Sequence, residues 1–259
     1  MKKLLLSGLF LCLLLSGCGK QQVDEDDLST IIKRDKLIVG VRTDTQPFGF
    51  LDKDNKNIGY DIDIAKILAV ALVGDEKKIE FIPVTASDRI RKLITHEVDL
   101  LVATLSITDQ RQRILDFSVP YYVAGQAMMV PKYSDIISLR ELEDKRVIIV
   151  YGSTSEKSIR TSIPNVNVIG YKTYDEAYQA LKAGKADAII ADDTLLYRYI
   201  LKDNSVKLLP KRYSKEYYAI AFRKDENSQR LQTRVNGVLQ SLQSTGKLNR
   251  LQDNWGINR

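Results

Sequence analysis

Cysteine and histidine are almost missing from this 259-residue chain. Both cysteines, Cys12 and Cys18, fall in the N-terminal leader. A bridge between them would only close a loop inside an apolar segment. The rest of the chain therefore has no disulfide framework and no cysteine metal site. His96 is the single histidine, too few for a Ser-His-Asp triad with any alternative or for a multi-histidine metal centre. Long apolar runs are missing after the leader, so no later segment reaches membrane-span length. A concentrated basic stripe is missing too. The formal net charge is +6, of which Lys2 and Lys3 supply two, and acidic residues interleave with the remainder. Nucleic-acid binding favours a basic stripe. Mild, dispersed basicity suits an anionic membrane surface or acidic ligands and requires neither.

The N-terminus is organised as a leader. Met1-Lys2-Lys3 is basic, Leu4 to Leu15 is apolar, and Leu15-Ser16-Gly17-Cys18 places small residues before a cysteine. This is a secretory signal segment. It resembles the bacterial lipobox, which implies cleavage after residue 17 and lipid on Cys18, an anchor without a spanning helix. Residues 18–27 are polar and acidic and read as a tether.

Beyond the tether, strands and helices alternate. Leu37 to Val41, Lys78 to Val84 and Asp99 to Ala103 read as strands. Helices are predicted from Asp61, taken as a cap, to Val73 and from Asp88 to His96. A second block repeats the pattern, with strands at Arg146–Val150, Asn167–Ile169 and Asp187–Ala191. Its helices start near Glu156, Tyr174 and Asp193. Such alternation predicts βαβ units and parallel sheets. Gly125 to Pro131 and Tyr217 to Arg223 are expected to join the blocks, and the C-terminal helices to pack on the first. The expected fold class is α/β in two lobes, 28–126 with 220–259 and 127–219, around a hinged cleft. Ligands in such sheets lie beyond the carboxyl ends of the strands.

The densest chemistry lies between Asp99 and Tyr122. Thr104, Ser106 and Thr108 follow a buried strand on alternate positions, where hydroxyls can donate to an anion. Thr108 suits the N-cap of a short helical turn. Arg111 lies in that turn, where the helix dipole disfavours a cation that lacks an anionic partner. The set fits a carboxylate clamp, since guanidinium binds carboxylate bidentately. It also fits an ordinary strand, cap and surface helix, and on residue chemistry alone the plainer reading is the stronger.

The order of motifs resembles the polar amino-acid-binding family of solute-binding lipoproteins that serve ABC importers. The matching segments are Leu37-Ile-Val-Gly-Val-Arg-Thr-Asp-Thr-Gln-Pro-Phe-Gly-Phe50, Gly59-Tyr-Asp-Ile-Asp-Ile-Ala65, Ala103-Thr-Leu-Ser-Ile-Thr-Asp-Gln-Arg111, Asp116-Phe-Ser-Val-Pro-Tyr-Tyr122, Gly152-Ser-Thr-Ser-Glu156 and Asp187-Ala-Ile-Ile-Ala-Asp-Asp193. The resemblance implies a periplasmic-binding-protein-like fold, no cofactor or metal, a monomer, and an ABC permease as partner. It implies that Thr104, Ser106 and Arg111 grip the α-carboxylate of an amino acid. Thr154 adds to that grip from the second lobe, Asp192 receives the ammonium, and Phe48 packs against the ligand.

Arg89 resembles the aspartate- and glutamate-binding subgroup, and Arg42 would be its second cation. Two cations suit a dicarboxylate. Arg89 also suits surface pairing with Asp88 or Glu97, and Arg42 pairing with Asp44. An acidic amino acid is therefore the expected ligand, with glutamine or asparagine second. A dehydratase, a lyase or a sensory module on the same scaffold are the further alternatives, although no appended catalytic domain is expected. Asp192 and Asp193 both suit helix capping, as do Asp61 and Asp63. Tyr121, Tyr122, Met128, Met129 and Trp255 read as packing residues.

Overall fold

The computed structural model describes residues 25–163 and 165–258. The leader and the lipidation expected at Cys18 lie outside the described residues. The first lobe begins with α1 (Asp27–Arg34) and β1 (Leu37–Val41), followed by the short strands β2 (Asp44–Thr45), β3 (Gly49–Leu51) and β4 (Asn57–Ile58). Then come α2 (Tyr60–Val73), β5 (Ile79–Pro83), α3 (Arg89–Ile94), β6 (Leu100–Val102), α4 (Asp109–Gln112) and β7 (Leu115–Phe117). The chain crosses through β8 (Tyr122–Ala124) into β9 (Gln126–Pro131).

The second lobe adds β10 (Arg146–Val150), α5 (Ser155–Ser162), β11 (Asn167–Tyr171), α6 (Tyr174–Lys182), β12 (Ala188–Asp192), α7 (Asp193–Ile200) and β13 (Val206–Leu208). The chain returns through β14 (Glu216–Tyr218) to β15 (Ala221–Arg223), and α8 (Gln229–Ser244) and α9 (Lys247–Asn254) complete it.

Both sheets have one plan. In the first lobe the order is β5-β1-β6-β15-β7, in the second β11-β10-β12-β9-β13. Each has a parallel trio, and each accepts the strand that has just crossed as an antiparallel fourth. The crossing strands β8 and β14 pair with each other as an antiparallel hinge ribbon. Parallel strands are buried on both faces because helices cover both. In β10, Ile148 and Val150 face one core cluster while Val147 and Ile149 face another. The same split puts Leu100 and Val102 of β6 on one side, Leu101 and Ala103 on the other.

Helix starts follow local chemistry where the cap is local. Thr108 accepts the Arg111 N–H at the start of α4, and Thr173 with Glu176 forms a capping box on α6. The start of α2 departs from expectation. Its N-cap is Gly59, and Asp61 lies inside the first turn, fully buried. Asp61 accepts the Thr104 N–H at 3.0 Å and the Tyr121 hydroxyl at 2.9 Å. Capping is a job for an exposed end, and these two long-range donors draw the carboxylate inward instead. Gly59 has φ +129°, and a Cβ there would lie 2.1 Å from the Phe48 carbonyl oxygen, so the close approach of loop and helix needs glycine.

That approach also decides the place of Phe48. Its ring is fully buried and meets Tyr60, Tyr122 and Tyr218 edge-on, at centroid distances of 5.8, 5.1 and 5.6 Å. It packs the core at the hinge and does not line the cleft, because its loop folds back on α2. Edge-on aromatic pairs favour this arrangement beyond simple area burial. Phe48→Ala should cost about 3–5 kcal/mol of stability in a urea unfolding experiment. Unchanged stability with a loss confined to ligand affinity would return Phe48 to the ligand.

Candidate functional site

The ends of β1, β6, β10 and β12 open on the same side, toward the other lobe. Arg42 follows β1, Thr104 and Ser106 follow β6, and Arg89 and Arg111 belong to α3 and α4. Ser153 and Thr154 follow β10, Tyr174 opens α6, and Asp192 ends β12. All of them line one cavity between the lobes. The lobes are closed on each other, leaving only about 10 Å³ of room for the centre of a water-sized sphere.

Three guanidinium groups converge here, and each is held differently. Arg42 is buried, and its Nε and Nη2 donate to the two Asp44 oxygens at 2.8 and 2.7 Å. That fork neutralises its charge locally. The Tyr174 ring covers the same guanidinium from the second lobe, 5.8 Å away. Arg89 is also buried, and pairs with neither Asp88 nor Glu97. Its Nη1 donates to the Ala103 and Thr104 carbonyls at 2.5 and 3.3 Å, and its Nη2 to the Gly152 carbonyl at 3.5 Å. Glu97 pairs with Arg91 instead. Arg111 donates to the Ser106 carbonyl at 2.8 Å and to the Gly152 carbonyl at 3.0 Å. Neither Arg89 nor Arg111 has a carboxylate in ion-pair contact among the described residues. Burial first, then the like charges of Arg111 and Arg42, push the Arg89 guanidinium down to about 9.

The site also contains polar atoms that the protein leaves unmatched. Arg89 Nε and Ser153 Oγ are buried without a hydrogen-bond partner. Such groups are uncommon in folded proteins and point to a ligand here. Thr104 adopts φ +47°, strained for a β-branched residue. The Asp61 carboxylate holds its N–H in that conformation.

The second lobe supplies negative charge. Asp192 accepts the Tyr218 hydroxyl from the returning hinge strand. Burial, reinforced by the nearby Glu216, pushes its carboxyl up to about 7, while Arg111 pulls the other way. Asp193, read from sequence as a cap, accepts the Thr194 and Gly125 N–H groups and pairs with Arg212 at 2.5 Å. The Thr154 hydroxyl is already engaged. It donates to Glu216 at 3.1 Å and accepts from Gln126 at 2.9 Å. It fixes the loop to the hinge, and the free hydroxyl beside it is that of Ser153. Ser153 and Tyr174 escaped sequence reasoning. Both stand just past a strand end, the one signal that could have marked them.

Two α/β lobes, a double crossover and a buried cleft with unmatched cations facing an aspartate define a two-lobed receptor for a small polar solute. Residues 37–258 match the bacterial extracellular solute-binding proteins, family 3, and the chain belongs to that family. The ABC transporter glutamine-binding protein GlnH of Bacillus subtilis (strain 168) is 37% identical over 262 residues, covering 97% of this chain and 95% of that protein. A glutamine-binding protein of Geobacillus stearothermophilus is 42% identical over 200 residues, 76% of each. Among solved structures, an ancestral arginine-binding protein bound to glutamine matches with a TM-score of 0.80 and 35% identity, over 86% of this chain and 99% of that one.

If Asp192 receives a ligand ammonium group, as the sequence resemblance implies, it must be ionised to do so. With its carboxyl near 7, ligand affinity should fall as pH drops from 7.5 to 5.5, by up to about tenfold per unit below 7. Calorimetry across that range checks it, and Asp192→Asn should flatten the profile. A flat profile in the unsubstituted protein would show that no group of raised pKa takes part.

Proposed function

We propose that this chain is the solute-binding component of an ABC importer, that it captures an amino acid by hinge closure, and that it prefers glutamine to glutamate or aspartate. The convergence of Arg89 and Arg111 on one oxygen, that of Gly152, carries the reading. Two cations that reach a single point serve one end of the ligand. They flank its α-carboxylate, with the hydroxyls of Thr104, Ser106 and Ser153 beside them. Asp192 takes the ammonium. Since ligand contacts come from both lobes, binding favours the closed form.

Only Arg42 is left for the side chain, and Asp44 already neutralises it. The expectation of an acidic ligand rested on two free cations reading a side-chain carboxylate. The Arg42–Asp44 fork argues against the first, and the contact that Arg89 shares with Arg111 at Gly152 favours the backbone end for the second. A side-chain amide suits this end, because its oxygen can accept from Arg42 without needing a free positive charge. A carboxylate there would find the Arg42 charge already offset by Asp44. The glutamine-binding relatives support the same ligand. The anchor on Cys18 would hold the receptor outside the cytoplasm, beside its permease.

A thermal-shift panel of amino acids tests the reading. Glutamine at a hundred times its Kd should stabilise the unlipidated protein by about 2.7 kcal/mol, roughly 5–10 °C in Tm. No shift from any amino acid would sink it, and a larger shift from glutamate would sink the preference. Asp44→Asn frees the Arg42 charge and should move the glutamine-to-glutamate affinity ratio toward glutamate by about tenfold, near 1.4 kcal/mol. An unmoved ratio would remove Asp44 from side-chain recognition.

A further inference from the structure

We propose that Gly152 is the closure residue of this receptor: its missing side chain admits the opposite lobe, and its carbonyl is the contact that both clamp arginines make across the cleft. This rests on reading the cleft as an amino-acid site that closes by hinge motion. Gly152 has φ +77°, and a Cβ there would lie 2.4 Å from the Ala86 carbonyl oxygen, 2.6 Å from the Ala86 carbonyl carbon and 2.8 Å from Ser87 Cα. These are backbone atoms of the first lobe, in the loop that leads into α3. Backbone cannot swing aside as a flexible side chain does, so any side chain at 152 holds the lobes apart.

The same peptide unit makes the polar contact of closure. Its oxygen accepts Arg111 Nη2 at 3.0 Å and Arg89 Nη2 at 3.5 Å. Hydrogen bonds from an ionised donor are stronger than neutral ones. A guanidinium has five N–H donors, and Arg111 uses Nη1 on Ser106 and Nη2 on Gly152. Donors remain for a ligand carboxylate, so the carbonyl and the ligand are held together rather than in competition. The contact exists only in the closed form and therefore favours closure.

The test measures lobe separation by single-molecule FRET between dyes at exposed Lys53 and Lys185, one per lobe, with and without glutamine. Gly152→Ala and Gly152→Asn are compared with Gly184→Ala, a second-lobe glycine at φ +69° with nothing within 4 Å of its Cβ position. Asparagine tolerates positive φ better than alanine, which separates backbone strain from collision. Both Gly152 variants should populate the closed distance less than the unsubstituted protein, and Gly184→Ala should match it. A tenfold loss of closed fraction weakens apparent affinity about tenfold, equally for every amino acid that binds. Closed fractions equal to the unsubstituted protein overturn the proposal, as does a loss in Gly152→Ala that Gly152→Asn does not share. If no amino acid binds the unsubstituted protein, the proposed function fails, and the ligand-free distances still decide the role of Gly152.

Discussion

A buried guanidinium is costly unless charge or hydrogen bonding compensates it. The cleft holds Arg42, Arg89 and Arg111 together. Asp44 compensates the first with a carboxylate. The other two are held by the carbonyls of Ala103, Thr104, Ser106 and Gly152, which are dipoles rather than charges. Positive charge is thus concentrated at one point and left for an anion to complete. Asp192 stands on the opposite lobe with its carboxyl raised to about 7, a mirror of Arg89 lowered to about 9. On the proposed reading a zwitterion would relieve both at once, with the lobes together.

Much of the structure serves to hold those groups in place. Asp61 fixes the strained Thr104 and also binds Tyr121, tying α2 to the end of β6. Burial pushes Asp61 itself up to about 7, against the pull of those hydrogen bonds. Phe48 packs on Tyr218, whose hydroxyl binds Asp192. Glu216, two residues earlier on the hinge strand, binds Thr154 and Ser214. The hinge ribbon therefore positions both Asp192 and the loop that carries Ser153 and Gly152. These groups share one framework, with the aromatic cluster of Phe48, Tyr60, Tyr122 and Tyr218 at its centre.

The alternation of strands and helices was legible because it depends on local patterning, and so were caps such as Thr108, whose donor lies three residues away. Asp61 was not, because its partner Thr104 is 43 residues distant and spacing carries no trace of that pairing. Phe48 in a turn-rich loop resembles a cleft residue until the loop is seen to fold back on Gly59. Tyr174 at a helix start resembles core. The residues that meet in the cleft could be nominated one by one from strand ends. Their division of labour could not, since whether two cations face one carboxylate or two depends on where their nitrogens point.

The affinity ratio of glutamine to glutamate in Arg89→Met tests the central claim most directly, measured by calorimetry against the unsubstituted protein. If Arg89 and Arg111 share the α-carboxylate, both ligands weaken together and the ratio stays the same. A loss confined to glutamate would place Arg89 on the side chain and contradict the account.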